Sequence, residues 1–237
     1  MNKSVRAIAC MAIVALPLTV NGREKAKAIL GADIVSGYIW RGQDFGSVAI
    51  QPTLGVAYKG ISLSAWGSYG ITGRDDTKEL DFTLAYTHGN FTVGLTDYYC
   101  VRGGENCPGK YFLYRSGKTA HVYEAFVGYD FRFLSLNWYT NFAGADGVNQ
   151  SGSRAYSSYV EAVVPFRFVG LTWGLTVGAV PYATSYYASA QGFAVTNVSL
   201  RASKEISLTK KFSLPLFAAL TANPSTEKFY FTAGFSL

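Results

Sequence analysis

A two-residue alternation runs through this chain from Ala32 to its last residue. About twelve runs of roughly ten residues set large apolar side chains against small or polar ones, the length and rhythm of β-strands tilted across a bilayer. The runs are Ala32 to Arg41, Val48 to Tyr58, Ile61 to Ile71, Glu79 to His88, Phe91 to Val101 and His121 to Phe131, followed by Phe133 to Ala143, Ala155 to Phe166, Gly170 to Val180, Phe193 to Ser203, Phe212 to Ala222 and Phe229 to Leu237. In the last, Phe229, Phe231, Ala233, Phe235 and Leu237 share one face while Tyr230, Thr232, Gly234 and Ser236 share the other. An apolar terminal strand of this kind is expected to pair with the first one, because in lipid no strand edge can be left open.

The connections alternate in length. Lys59-Gly60, Gly89-Asn90, Arg132, Arg167 to Val169 and Lys204 to Lys211 are expected at one rim. Longer polar loops, Gly42 to Ser47, Thr72 to Lys78, Arg102 to Ala120, Gly144 to Arg154, Pro181 to Gly192 and Asn223 to Lys228, are expected at the other. Short turns at one end and long loops at the other are the build of bacterial barrels. The expected fold is all-β, a transmembrane antiparallel up-and-down barrel of about twelve strands. Aromatics should then ring both ends of the outward face. Tyr38, Trp40, Tyr69, Tyr99, Phe142, Tyr156 and Phe229 fall toward the loop rim; Tyr58, Tyr86, Phe91, Tyr129, Phe166, Trp173 and Phe212 fall toward the turn rim. Asp97 breaks the pattern, since its phase points outward; a rim position or a neighbouring bulge would accommodate it.

Composition fits this reading: charged residues make up 15% of the chain, below the roughly 25% of soluble domains. Lys3 and Arg6, the apolar run from Ala7 to Val20 and the small residues near Gly22 form an export signal. Residues 1–22 are therefore expected to be a signal peptide, 23–31 a periplasmic N-terminal segment and 32–237 a barrel in the bacterial outer membrane. The formal net charge of +6 is dispersed, and Lys3 and Arg6 leave with the leader, so no nucleic-acid surface is expected.

The inward phase carries the candidate chemistry. Arg41, Asp81, Glu124, Glu161 and Arg201 are the candidate pore-lining residues, with Asp33, Asp130, Gln51, Asn137, Asn141 and Asn197 on the same side. They support two readings: a solute path tuned by these side chains, or a lumen filled by charges that neutralise one another. Arg41 and Arg201 alone do not line a path for polyanions. No enzyme is expected. His88 and His121 fall in the outward phase, where neither orients a lumenal serine. No His or Cys cluster suggests a metal, and no cofactor is implied. The stretches GENCPGKY (Gly104 to Tyr111) and SGKT (Ser116 to Thr119) mimic phosphate loops without the strand-to-helix setting these need. Of three cysteines, Cys10 leaves with the leader; Cys100 and Cys107 are expected to form a disulfide in an oxidising compartment.

The stretches DIVSGYIWRGQDFGSVAIQPTLGVAY, LSAWGSYG, ELDFTLAYTHGNFTVGLTDYY and HVYEAFVGYD resemble the TorF-type porins, a group of conserved barrel proteins. The resemblance covers roughly the first half of the mature chain, and Gly37 and Trp40 depart from the family's usual acidic or amide residue and Phe. It implies an outer-membrane barrel and no particular substrate. The terminal strand also resembles the signal that outer-membrane assembly machinery reads, with Leu237 in place of the usual aromatic. Membrane lipid, that machinery and small solutes are thus the expected partners. The function expected is a narrow passive channel for small solutes; the alternative is a plugged barrel acting through its extracellular loops.

Overall fold

The structure, a computed structural model, describes residues 14–18, 25–72, 77–101, 110–210 and 212–237. Twelve antiparallel strands close into a barrel: β1 (Ala26–Val35), β2 (Ala49–Tyr58), β3 (Ile61–Gly70), β4 (Lys78–His88), β5 (Phe91–Val101) and β6 (His121–Asp130) form one half of the wall. The other half is β7 (Ser135–Gly144), β8 (Ser158–Phe168), β9 (Leu171–Val180), β10 (Ala194–Ser207), β11 (Ser213–Asn223) and β12 (Lys228–Ser236). Neighbours in sequence are neighbours in the wall, and β1 pairs with both β2 and β12. No helix among the described residues is long and apolar enough to cross a membrane.

The tight turns explain this meander. Lys59 and Gly60 have φ of 49° and 86°, and Val169 and Gly170 have 50° and 70°. Two consecutive left-handed residues make the hairpin turn whose twist matches that of the strands it joins.

The wall closes on a short seam. Gly234, Phe235 and Ser236 pair with Val35, Ile34 and Asp33. Leu237 extends the ladder by exchanging backbone hydrogen bonds with Ala32 (2.8 and 3.2 Å). Below that point the free edge of β1 is followed by Val14–Leu18, which runs antiparallel to Ala26–Leu30. Residues 1–13 and 19–24 of the expected leader and N-terminal segment lie outside the described residues.

The first strand departs from expectation. It begins at Ala26, inside the segment expected to precede the barrel, and ends at Val35 instead of Arg41. Alternation continues unbroken into Tyr38 and Trp40, so periodicity alone does not mark the exit. The exit is set at Ser36, whose amide donates to the Ala233 carbonyl (2.8 Å) while its hydroxyl accepts from the Ala233 amide (2.9 Å). Beyond it the chain folds inward. At the other rim, β10 runs through Lys204 to Ser207, because it pairs with β11 as far as Ser213.

The two faces of the wall are inverted relative to a water-soluble barrel. Leu54 and Leu84 face outward and are 62% and 49% exposed, whereas Glu124, Asn141 and Tyr159 inside are 0% exposed. Tyr69, Phe142, Tyr156 and Phe229 mark the loop end of the outer face, and Tyr58, Tyr86, Phe91, Tyr129, Phe166 and Phe212 the turn end. Inside, hydroxyl pairs such as Thr83 with Thr96 (3.0 Å) and Ser199 with Thr221 (2.9 Å) bridge adjacent strands.

Candidate functional site

The first long loop folds into the mouth as a small hairpin, Tyr38–Trp40 against Gln43–Gly46. Its corner is Arg41-Gly42, with φ of 50° and 78°. Gly42 packs against the wall backbone so closely that a Cβ there would stand 1.8 Å from the Thr196 carbonyl oxygen. Asn223 Nδ2 donates to the Gly42 carbonyl (2.9 Å), tying the corner to β11.

From this corner Arg41 reaches Glu124 on β6, halfway round the wall from β1. Its guanidinium donates to Glu124 Oε2 at 2.5 Å and Oε1 at 3.0 Å, the two-pronged pairing that a planar guanidinium and a carboxylate favour. Tyr98 donates to the same carboxylate (2.8 Å), as does Tyr187 (3.2 Å), and Arg41 also donates to the Tyr187 hydroxyl. The guanidinium carbon lies 4.1 Å from the Tyr139 ring centroid, 4.4 Å from Trp40, 4.8 Å from Tyr159 and 5.6 Å from Tyr187, all in cation–π range. An ion pair withdrawn from water is tolerated only with this degree of hydrogen bonding. Arg41 is 9% exposed.

Aromatics carry the filling out to the surrounding wall. Tyr38 packs on Phe45 and Trp66, and Trp40 packs on Tyr98, Tyr186 and Tyr187. The loop between β9 and β10 comes in from the other side: Ala188 N donates to Gln43 Oε1 (3.2 Å), and Tyr187 and Ala190 form a buried cluster with Tyr159 and Val180. The hairpin and this loop thus pack against one another within the loop-side lumen. The lining of the turn-side half mixes small and polar residues, including Ser62, Ser64, Thr83, Gly128 and Ser135, with the rings of Phe126 over Gly94 and Phe217 over Gly234.

Of the five candidate lining residues, the structure joins Arg41 with Glu124. Glu161 lies one step away: Tyr139, whose ring stacks on Arg41, donates its hydroxyl to Glu161 Oε1 (3.3 Å). Asp81 is buried inside the wall opposite Trp66. Arg201 sits on the far wall with its guanidinium 3.5 Å from the Phe217 ring centroid. Sequence reasoning missed Tyr98, Tyr139, Tyr159 and Tyr187. The first three are bulky rings in the inward phase of their strands, and Tyr98 stands out most, among Thr92, Gly94, Thr96 and Cys100; that bulk was a readable signal of filling. Tyr38 and Trp40, expected outside at the loop rim, are inside because the hairpin turns in.

The expected disulfide is not found among the described residues. Cys100 is a thiol on the inward phase of β5 beside Glu79; Cys107 lies outside the described residues.

Asp97 is at the loop rim, and it has a partner. Its carboxylate lies 2.7 Å from His121 Nδ1, and His121 Nε2 donates to the Tyr111 carbonyl at 2.7 Å. A carbonyl only accepts, so Nε2 carries a proton. Tyr99, Tyr111 and Tyr114 surround the imidazole, with ring centroids 4.6 to 5.0 Å away. His121 is 0% exposed, and Tyr99 is covered by this loop instead of forming part of the outer ring. Burial under this cover, together with the hydrogen bond to Tyr114, pushes the Tyr111 phenol up to about 12.

These features define a class: a closed twelve-stranded antiparallel barrel with an apolar outer face and a hairpin folded into its loop-side mouth. No protein-family model matches the chain, and no curated protein matches it.

Proposed function

We propose that this protein is a bacterial outer-membrane barrel that is stoppered at rest and acts through its loop-side surface, as a binding or structural protein. Its apolar outer wall and aromatic ends suit a lipid surround, and the resemblance to TorF-type porins points to the same compartment. The observation that carries the closed state is the buried Arg41–Glu124 pair, which fastens the first loop to the opposite wall. An open diffusion pore needs a continuous water path, and the guanidinium with its ring of tyrosines stands in the way.

The Asp97–His121 pair is read as structural. In acyl-transfer enzymes the nitrogen remote from the acid faces a hydroxyl nucleophile, whereas here it is bonded to the Tyr111 carbonyl. A second reading, the narrow solute channel, is favoured by the small and polar residues in the turn-side lining, such as Ser62, Ser64 and Gly128, and requires the hairpin to withdraw. Planar-bilayer recording of the refolded mature barrel separates the two. Absence of conductance steps from protein that shows barrel circular dichroism is the expected result; discrete steps from the unmodified protein would establish the channel instead.

A further inference from the structure

Arg41 arrives at Glu124 from outside the barrel wall, on a loop, and what receives it is a set of groups belonging to the wall and to another loop. Glu124, Tyr98, Tyr139 and Tyr159 project from β6, β5, β7 and β8, and Tyr187 closes over them. The carboxylate offers both oxygens to one planar cation at 2.5 and 3.0 Å. Tyr98 and Tyr187 hydrogen-bond that carboxylate and fix its orientation. Tyr139 and Tyr159 supply ring faces at 4.1 and 4.8 Å. Asn197 Nδ2 holds the Tyr159 hydroxyl (3.0 Å), and Glu161 holds that of Tyr139, so both rings are anchored from behind.

A carboxylate fork within an aromatic cage has the chemistry of a receptor for guanidinium-type cations. We propose that this cage is a binding site for small guanidinium compounds, which Arg41 occupies as a tethered stand-in and which compete with it to release the hairpin. The proposal rests on the stoppered-barrel reading and names the solute class that would unlock it. The cage holds the guanidinium end of Arg41, and Trp40 of the same hairpin adds a ring face at 4.4 Å; the hairpin also reaches its surroundings through Gly42, Gln43 and aromatic packing. A free guanidinium compound needs only the groups that the wall supplies, the Glu124 carboxylate and the Tyr139 and Tyr159 ring faces, to replace the ion pair. Because the tether gives Arg41 an effective concentration of about millimolar or higher, a competitor acts only at comparable levels.

The test is chemical rescue. Arg41→Ala leaves Glu124 buried without its cation, and the mature variant barrel is expected to conduct. Ethylguanidinium chloride at about 10 mM, on the millimolar scale of the tether, should raise the unfolding temperature of the variant by refilling the cage, while sodium chloride at equal ionic strength does not. Methylammonium, a point charge without the planar fork, should be at least about tenfold weaker. Adding Glu124→Gln should abolish the ethylguanidinium effect. Should Arg41→Ala fail to fold, the unmodified barrel provides the readout: ethylguanidinium should accelerate tryptic cleavage after Arg41, which is 9% exposed in the closed form. Equal effects of ethylguanidinium and sodium chloride, or of ethylguanidinium and methylammonium, would overturn the proposal. If the unmodified barrel conducts without any added cation, the stoppered reading fails, while rescue of the variant still reports on the cage.

Discussion

Gly42 and Thr196 meet backbone to backbone: a Cβ on Gly42 would lie 1.8 Å from the Thr196 carbonyl oxygen and 2.8 Å from its carbon. The corner of the inward hairpin is seated on β10 with no room for a side chain. Gly42→Ala is therefore expected to cost at least about 3 kcal/mol and to unseat the hairpin. Gly170 also has a positive φ, 70°, but nothing lies within 4 Å of its Cβ position. Gly170→Ala should cost only about 1 kcal/mol. Urea unfolding of the two variants in the same lipid checks the contrast.

The Arg41–Glu124 pair should behave as a unit. Removing one partner, as in Glu124→Leu, strands a buried charge and is expected to destabilise the barrel by about 3–5 kcal/mol. The double replacement Arg41→Met with Glu124→Leu fills similar volume without charge and should recover most of that loss. A double-mutant cycle on unfolding free energies measures the coupling.

His121 should act as the clasp of the cover over β5 and β6. His121→Phe keeps a ring but loses the contacts to Asp97 and the Tyr111 carbonyl, an expected cost of about 1–3 kcal/mol. Arg115 and Lys118 lie on the covering loop and are exposed. Trypsin should cut there faster in the variant, with the barrel itself intact by gel mobility.

The Tyr111 phenol is raised to about 12 by burial. A raised value means the cover binds the neutral phenol best, so its hold is complete below about pH 10, the ordinary tyrosine value, and fades as pH rises through 12. The difference between alkaline absorbance titrations of the unmodified protein and Tyr111→Phe should show one phenol titrating near 12.

The outer wall should reject charge where the lumen accepts it. Leu84 is mid-strand and outward, and Leu84→Arg is expected to cost about 2–4 kcal/mol in a bilayer. Its neighbour Thr83 faces inward, and Thr83→Ser should be near neutral. Refolding yields into lipid vesicles distinguish the two.

The barrel was legible because alternation is a direct imprint of a wall with unlike sides: Leu54, Leu84 and Leu95 on one phase, Thr53, Thr83 and Thr96 on the other. The hairpin was not, since Tyr38, Trp40 and Arg41 keep the same rhythm after the chain has left the wall. A period of two cannot tell a strand in the barrel from a ribbon folded inside it. Arg41 and Glu124 were both recognisable as lumenal, but their partnership depends on a loop crossing the barrel, which spacing along the chain does not encode. Cys100 shows the reverse case. Its inward phase was readable beside the outward Tyr99, and the structure keeps that phase beside Glu79.

The joint between β12 and β1 has a consequence for the life of the whole cylinder. Three register pairs hold it, flanked by the Ala32–Leu237 and Ser36–Ala233 hydrogen bonds, against ten register pairs between β10 and β11. Such a hoop is last to be fastened and first to spring apart. Assembly must finish at Asp33–Ser236, and any unravelling should begin there, with the final hairpin swinging away while the remaining staves stay joined.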